Sequence, residues 1–161
     1  MEAIIQGPAL CLGQDVNTDD IIPARHLVSS EPEFLAGHLF EDMAEEIKVG
    51  PGAIIVAGAN FGSGSSREHA PVGLKAAGVQ AILAESLARI FVRNCINIGL
   101  LALEAPGVSA IGAGQVRLDL TTGKITGSAG EEVEILPVPD FIRQIIDAGG
   151  LIPWIRTGGL D

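Results

Sequence analysis

The sequence contains no tyrosine, one tryptophan, two cysteines and two methionines in 161 residues, and its ten Lys and Arg are outnumbered by twenty Asp and Glu. The shortage of cations leaves a formal charge of −10. That argues against nucleic acid or an anionic membrane as a partner, since both reward basic patches. A small anion is still within reach, because a single arginine can act against the overall field. Cys11 and Cys95 lie far apart and form no Cys-x-x-Cys pair. Two thiols cannot supply the ligands of a structural zinc or an iron–sulfur cluster, so no metal site is expected in this chain. A single disulfide can be drawn, but two reduced, buried thiols of a cytoplasmic protein is the expectation. No basic stretch followed by an apolar run opens the chain at Met1–Gly7, so no secretory signal is expected. The longest uncharged stretch, Val49 to Ser66, is broken by five glycines and a proline and makes a poor membrane helix.

What is present is 47% hydrophobic residues, 21 glycines and nine prolines. That fits one turn-rich domain spanning residues 1–161, with neither repeats nor low-complexity linkers. Residues 3–12 read as apolar strand interrupted at Gly7-Pro8. Asp15 to Asp20 form a polar loop whose Asx and Thr side chains can bond their own backbone. Ser30 with Glu33 fits a capping box, predicting an acidic, solvated helix from Glu31 with Phe34, Leu35, His38, Leu39 and Met43 on one face. Residues 53–103 then read strand–helix–strand–helix–strand. The strands are Ala53–Ala57, Val79–Ala84 and Leu100–Leu103; the helices run from about Glu68 to Gly78 and, capped by Ser86, to Asn97. Period-2 alternation over 115–135, with a Thr122-Gly123 turn, predicts antiparallel strands. A last helix opens at Pro139-Asp140 with Phe141, Ile142, Ile145 and Ile146 as its apolar stripe, and Trp154 orders part of the tail.

One segment carries chemistry. Residues 58–67 leave a buried strand and enter a helix, and their glycines allow close approach of a ligand to the backbone. Ser65, Ser66 and Arg67 project from the helix-proximal end, where N–H groups and a guanidinium favour a carboxylate or phosphate. Spacing excludes several alternatives. No Lys follows Gly64, so the loop is not a P-loop; Gly62-Ser63-Gly64-Ser65-Ser66 misses the Gly-x-Ser-x-Gly frame; the third glycine of Gly-x-Gly-x-x-Gly is absent. A serine hydrolase using His69 therefore lacks its elbow, and a plain Gly/Ser turn with a surface arginine remains the bland alternative.

The string Asn60-Phe61-Gly62-Ser63-Gly64-Ser65-Ser66-Arg67-Glu68-His69-Ala70 closely resembles the signature of the swivelling domain of the aconitase superfamily. Asp15-Val16-Asn17-Thr18-Asp19-Asp20-Ile21-Ile22-Pro23 resembles that family's early loop, and Ala84 to Gly99 its second segment. Together they cover nearly the whole chain and look most like the separately encoded small subunits of 3-isopropylmalate dehydratase and its relatives, the homoaconitase and alkylmalate dehydratase small subunits. The resemblance implies a three-layer β/β/α swivelling fold of the α/β class, with a central, mainly parallel sheet and flanking antiparallel strands. It implies a hydro-lyase of leucine biosynthesis, active only with a large subunit that carries a [4Fe–4S] cluster, on a 2-hydroxy dicarboxylate. No cofactor would be bound by this chain, and self-association without the partner is permitted by its apolar content.

By position in the motif, the resemblance assigns Ser65 as the base and Ser66 and Arg67 as carboxylate binders. Gly62, Gly64, Glu68 and His69 would support them. The segment Arg25-His26-Leu27-Val28-Ser29 would read the substrate's variable group. Here it departs from the Tyr-Leu-Arg-Thr common in isopropylmalate enzymes, with valine in the arginine slot. Arg25 can supply a charge from another direction; His26 is either a pocket contact or a surface residue. Leu27 and Val28 would form an apolar wall that suits a branched aliphatic group better than a third carboxylate. The competing readings are a homoaconitase or a methylmalate or dimethylmalate enzyme, and a non-catalytic carboxylate-binding regulatory domain.

Overall fold

A computed structural model describes residues 2–161. Its strands are β1 (Ile4–Leu12), β2 (Ile54–Ala57), β3 (Ala81–Ala84), β4 (Leu101–Glu104), β5 (Gln115–Asp119), β6 (Lys124–Gly127) and β7 (Glu132–Glu134). They form one sheet in the order β4-β3-β2-β1-β5-β6-β7. The half from β4 to β1 is parallel and the half from β1 to β7 antiparallel. β1 belongs to both. Its first part, Ile4–Pro8, pairs with β5, and its last part, Ala9–Leu12, with β2. Gly7-Pro8 therefore does not break the strand as the sequence suggested. It sits where the strand changes partner, a place where proline's missing N–H costs no bond.

Alternation sends the parallel strands' side chains to two cores. Ile55, Ala57, Ile82, Ala84 and Ala102 pack against Leu35, Leu74, Phe91 and Cys95 of the helices. Those helices are α2 (Pro32–Ala36), α3 (His69–Ala76) and α4 (Arg89–Ile98); a one-turn helix, α1 (Thr18–Ile21), precedes them. On the opposite face Ile54, Val56, Ala81, Leu83 and Leu101 pack against Val116, Leu118 and Ile125 of the antiparallel half. The sheet thus returns over itself, and the layers are antiparallel strands, parallel strands, helices, as expected.

Several local expectations need correction. The helix predicted from Glu31 is short. Pro32 opens it, Glu31 stands at the N-cap without a side-chain bond, and Ser30–Glu33 forms no capping box. The chain cannot continue as a helix because buried Phe40 takes a left-handed conformation, φ +57°. The capping box lies instead on α1. Asn17 Oδ1 accepts from the Asp20 N–H at 2.9 Å and the Asn17 N–H donates to Asp20 Oδ2 at 3.0 Å. Ser86 does not cap α4, whose N-cap is Ala88. Phe141 is 54% exposed and lies off the buried face of α5 (Asp140–Asp147), where Ile145 is the buried anchor. The tail is ordered as α6 (Leu151–Arg156), with Trp154 Nε1 donating to Gln144 Oε1 at 3.4 Å. Both thiols are free, but only Cys95 is buried; Cys11 is exposed. Neither α6 nor any other helix of the described residues is long and apolar enough to cross a membrane.

Candidate active site

Three connections leave the same edge of the parallel half: residues 13–17 after β1, 58–68 after β2 and 85–88 after β3. Parallel sheets place ligands at the carboxyl ends of their strands, where such loops meet. Here the middle loop is sewn to both neighbours. The Gly58 N–H donates to the Gly13 carbonyl, Asp15 N–H to Ala59, Gly62 N–H to Val16 and Thr18 N–H to Ser63, at 2.8–3.1 Å. On the other side the Asn60 N–H donates to Ser86 Oγ at 2.8 Å and the Phe61 N–H to the Ser86 carbonyl at 3.1 Å. Ser86 therefore serves the loop and not the helix after it.

Gly62 and Gly64 have separate causes. Gly62 has φ +80°, and a Cβ there would stand inside the Phe91 ring. That ring packs edge-on against buried Phe61, with centroids 5.4 Å apart. Gly64 has φ +98° and would place a Cβ 3.3 Å from Thr18 Oγ1. The closeness is used: the Ser65 N–H donates to Thr18 Oγ1 at 3.0 Å. The Arg67 N–H in turn donates to Ser65 Oγ at 3.4 Å, and Asn94 Nδ2 holds the Ser66 carbonyl at 2.7 Å. Asn94 is itself buried, so this hydrogen bond is well shielded.

Ser65, Arg67 and His69 share a cleft with Thr18, Asp19, Ile22, Leu27 and Ala70. A second cleft, lined by Ser30, Leu35, Glu68 and Val72, adjoins it through Arg67 and His69. Ser65 is half-buried and Arg67 is exposed at the opening, whereas Ser66 is exposed and lines neither cleft. Ser65 lies four residues before α3, so the serine pair precedes the helix N-terminus instead of capping it. Pro71 falls in that helix's first turn, where its missing N–H costs no bond. His69 Nδ1 is buried and has no hydrogen-bond partner among the described residues. No hydrogen bond joins His69 to Ser65 among the described residues, so the Ser–His pair of a hydrolase is not assembled.

The expected reading segment divides. Leu27 reaches the cleft. Arg25 does not: it grips Asp42 with two bonds of 2.7 and 2.8 Å and Glu41 with one of 2.9 Å. His26 also turns away, with Nε2 2.6 Å from Glu41 Oε2. Val28 is 86% exposed, so the wall formed by this chain is Leu27 with Ile22 and not Leu27 with Val28. Ser29 Oγ accepts from the Glu31 N–H at 3.1 Å, a local turn bond. Sequence reasoning missed Thr18, Asp19, Ile22 and Asn94 as site residues. Thr18 to Ile22 lie in the early-loop string and Asn94 in the second segment, but nothing in either marks which side chains turn toward the serines.

Comparison with known proteins identifies the family. Residues 24–107 match the family described as the aconitase C-terminal domain. The chain is 47% identical over 99% of its length to a protein of Methanopyrus kandleri named 3-isopropylmalate dehydratase small subunit 1, of which it covers 96%. It is 50% identical, over 94% of its length and 95% of the relative, to the 3-isopropylmalate dehydratase small subunit of Moorella thermoacetica. It is 45% identical, over 97% and 96%, to a protein of Methanocaldococcus jannaschii named isopropylmalate/citramalate isomerase small subunit. A crystal structure of 3-isopropylmalate dehydratase from the last organism superposes with TM-score 0.85 at 37% identity, over 98% of this chain and 96% of that one.

Proposed function

The chain belongs to the aconitase C-terminal domain family, and from that premise we propose that it is the small subunit of a two-subunit 3-isopropylmalate dehydratase, a cytoplasmic hydro-lyase of leucine biosynthesis. The observation that carries this reading is the shared cleft: a half-buried serine hydroxyl, one guanidinium and an apolar wall, lined by two of the segments that resemble the family together with Leu27, with Asn94 of the third holding the loop from which the serine projects.

Ser65 is the base. It takes the proton from the carbon next to a substrate carboxylate; that C–H electron pair becomes the C=C bond as hydroxide leaves the neighbouring carbon. Returning water with the positions of H and OH exchanged gives the isomer. Serine is a poor base unless its oxyanion is stabilised, and here the Arg67 N–H already points at Ser65 Oγ. Ser66 and the Arg67 guanidinium hold a substrate carboxylate, with His69 Nε2 as a further donor. Thr18 fixes the backbone from which Ser65 projects. The metal chemistry lies outside this chain. Cys95 is sealed in the core and Cys11 lies away from the cleft, so no cluster fits here. A [4Fe–4S] group on the large subunit would supply the Lewis acid for the departing hydroxyl.

Among the described residues Arg67 is the only Lys or Arg lining either cleft, and Arg25 is held by Asp42. That supports a dicarboxylate bearing an alkyl group over a homoaconitase substrate. The name of the Methanocaldococcus relative favours a second reading, in which citramalate is also turned over. Reconstitution with a cluster-loaded large subunit tests both. The chain alone is inactive. The mixture forms unsaturated acid, read by ultraviolet absorbance, with higher kcat/KM for 2-isopropylmalate than for citramalate or homocitrate. Preference for homocitrate would refute the assignment.

A further inference from the structure

His26, His38 and Glu41 stand apart from the cleft and play no part in the chemistry above. His26 comes from the turn after Pro23, and His38 and Glu41 from the segment after α2. Glu41 Oε2 lies 2.6 Å from His26 Nε2, and Glu41 Oε1 lies 2.5 Å from His38 Nδ1. One nitrogen of each ring and a carboxylate oxygen all fall within 4.8 Å of one another. The two imidazoles are stacked, centroids 3.9 Å apart at 18°, and Phe34 packs against both rings. The side chains are half-open to solvent, between 15 and 34% exposed, so an ion can enter.

We propose that His26, His38 and Glu41 form a binding site for a divalent transition-metal ion, zinc foremost. Two imidazoles and one carboxylate are the donor set such ions take, with water in the remaining position. Tetrahedral bonds of about 2.0–2.1 Å separate ligand atoms by about 3.3 Å. The present contacts are shorter than that, and the two stacked rings must tilt out of their parallel arrangement for both in-plane lone pairs to meet one ion. Electrostatics permit entry. Glu41 and Asp42 carry two negative charges and Arg25 one positive, so with neutral rings the cluster is net negative. Arg25 can release Glu41 without becoming unpaired, because Asp42 alone holds it through two bonds. Each ligating nitrogen must present a lone pair; its proton passes to the other ring nitrogen or to solvent, so affinity falls in acid. Phe40, buried at φ +57° between His38 and Glu41, makes the reversal that aims both at one point. The ion would tie His26, and with it adjacent Leu27 in the cleft wall, to the turn at Glu41.

The test needs neither partner nor substrate, so it stands or falls separately from the proposed activity. Metal-free full-length chain is titrated with cobalt(II), then zinc(II). One equivalent of cobalt is expected to bind with visible ligand-field absorption, and zinc to displace it. In the unaltered protein the imidazole nitrogen signals of His26 and His38 shift stoichiometrically with zinc while those of His69 do not. His26→Gln and His38→Gln each weaken binding at least tenfold, and Cys11→Ser leaves it unchanged. Absence of saturable one-to-one binding, loss of it in the Cys11 variant, or unchanged His26 and His38 signals would each overturn the site. The signals decide the matter even where a substitution impairs folding.

Discussion

A hydroxyl becomes a base only where its anion has a donor and its backbone cannot drift, and the role proposed for Ser65 rests on both. Thr18 Oγ1 accepts from its N–H, and the Arg67 N–H reaches its Oγ. Thr18→Val keeps the shape and deletes the acceptor, which leaves that N–H unpaired at a cost of about 1–2 kcal/mol. The expected outcome is a lower kcat in the reconstituted enzyme with the large subunit still bound; an unchanged kcat would remove Thr18 from the account. Glu41 sets a second expectation. Hydrogen bonds from His38 and His26 hold its carboxyl at about 2, below the ordinary 4.5. Since the folded value is the lower one, its contribution to stability is complete above about pH 4.5 and is lost as pH falls toward about 2. Thermal melts across that window should show Glu41→Gln less acid-sensitive than the parent; equal acid limbs would contradict it. Ser65 and Arg67 of the cleft were legible as part of a string. The partners of Arg25 and His26 were not, because Asp42 and Glu41 lie 15 to 17 residues away in a segment whose pattern predicted a longer helix.

The loop between β2 and α3 is as good as its contacts with α4. Gly62→Ala must force both a left-handed alanine and a displaced Phe91 ring, a combination expected to cost about 3 kcal/mol. A chemical denaturation curve measures it, and a loss under about 1 kcal/mol would show the ring free to move aside. α4 also fixes the thiol chemistry. Cys95 is fully buried and burial pushes its thiol well above the ordinary range, whereas Cys11 is exposed. One thiol should therefore label in native protein and two after unfolding; rapid labelling of both would mean that α4 opens. The strand–helix–strand–helix–strand run was legible because buried parallel strands are short apolar runs bounded by turn residues. The end of α2 and the start of α4 were not. Phe40's left-handed turn has no sequence mark, and Ser86 looks like a cap until a loop from elsewhere claims its hydroxyl.

At the scale of the molecule, a sheet that is half parallel and half antiparallel wraps one core under the helices and another between its own halves. The parallel half delivers three loops to one edge, and the cleft lies between the loop after β2 and the segment from Thr18 to Leu27, with Ser86 of the third loop bracing the middle one. Composition and spacing indicated both halves but not that they are one sheet, since that depends on β1 changing partner at Pro8. Val28 stands in solvent beside the cleft-lining Leu27, and Arg67 is exposed at the cleft opening. That is the form of half a site awaiting the surface that completes it. The most direct measurement is the initial rate of unsaturated-acid formation from 2-isopropylmalate by parent and Ser65→Ala chains, each assembled with the same cluster-loaded large subunit. The account predicts equal assembly and a rate lower by about three orders of magnitude or more in the variant. A variant that assembles and turns over at the parent rate would show that Ser65 is not the base.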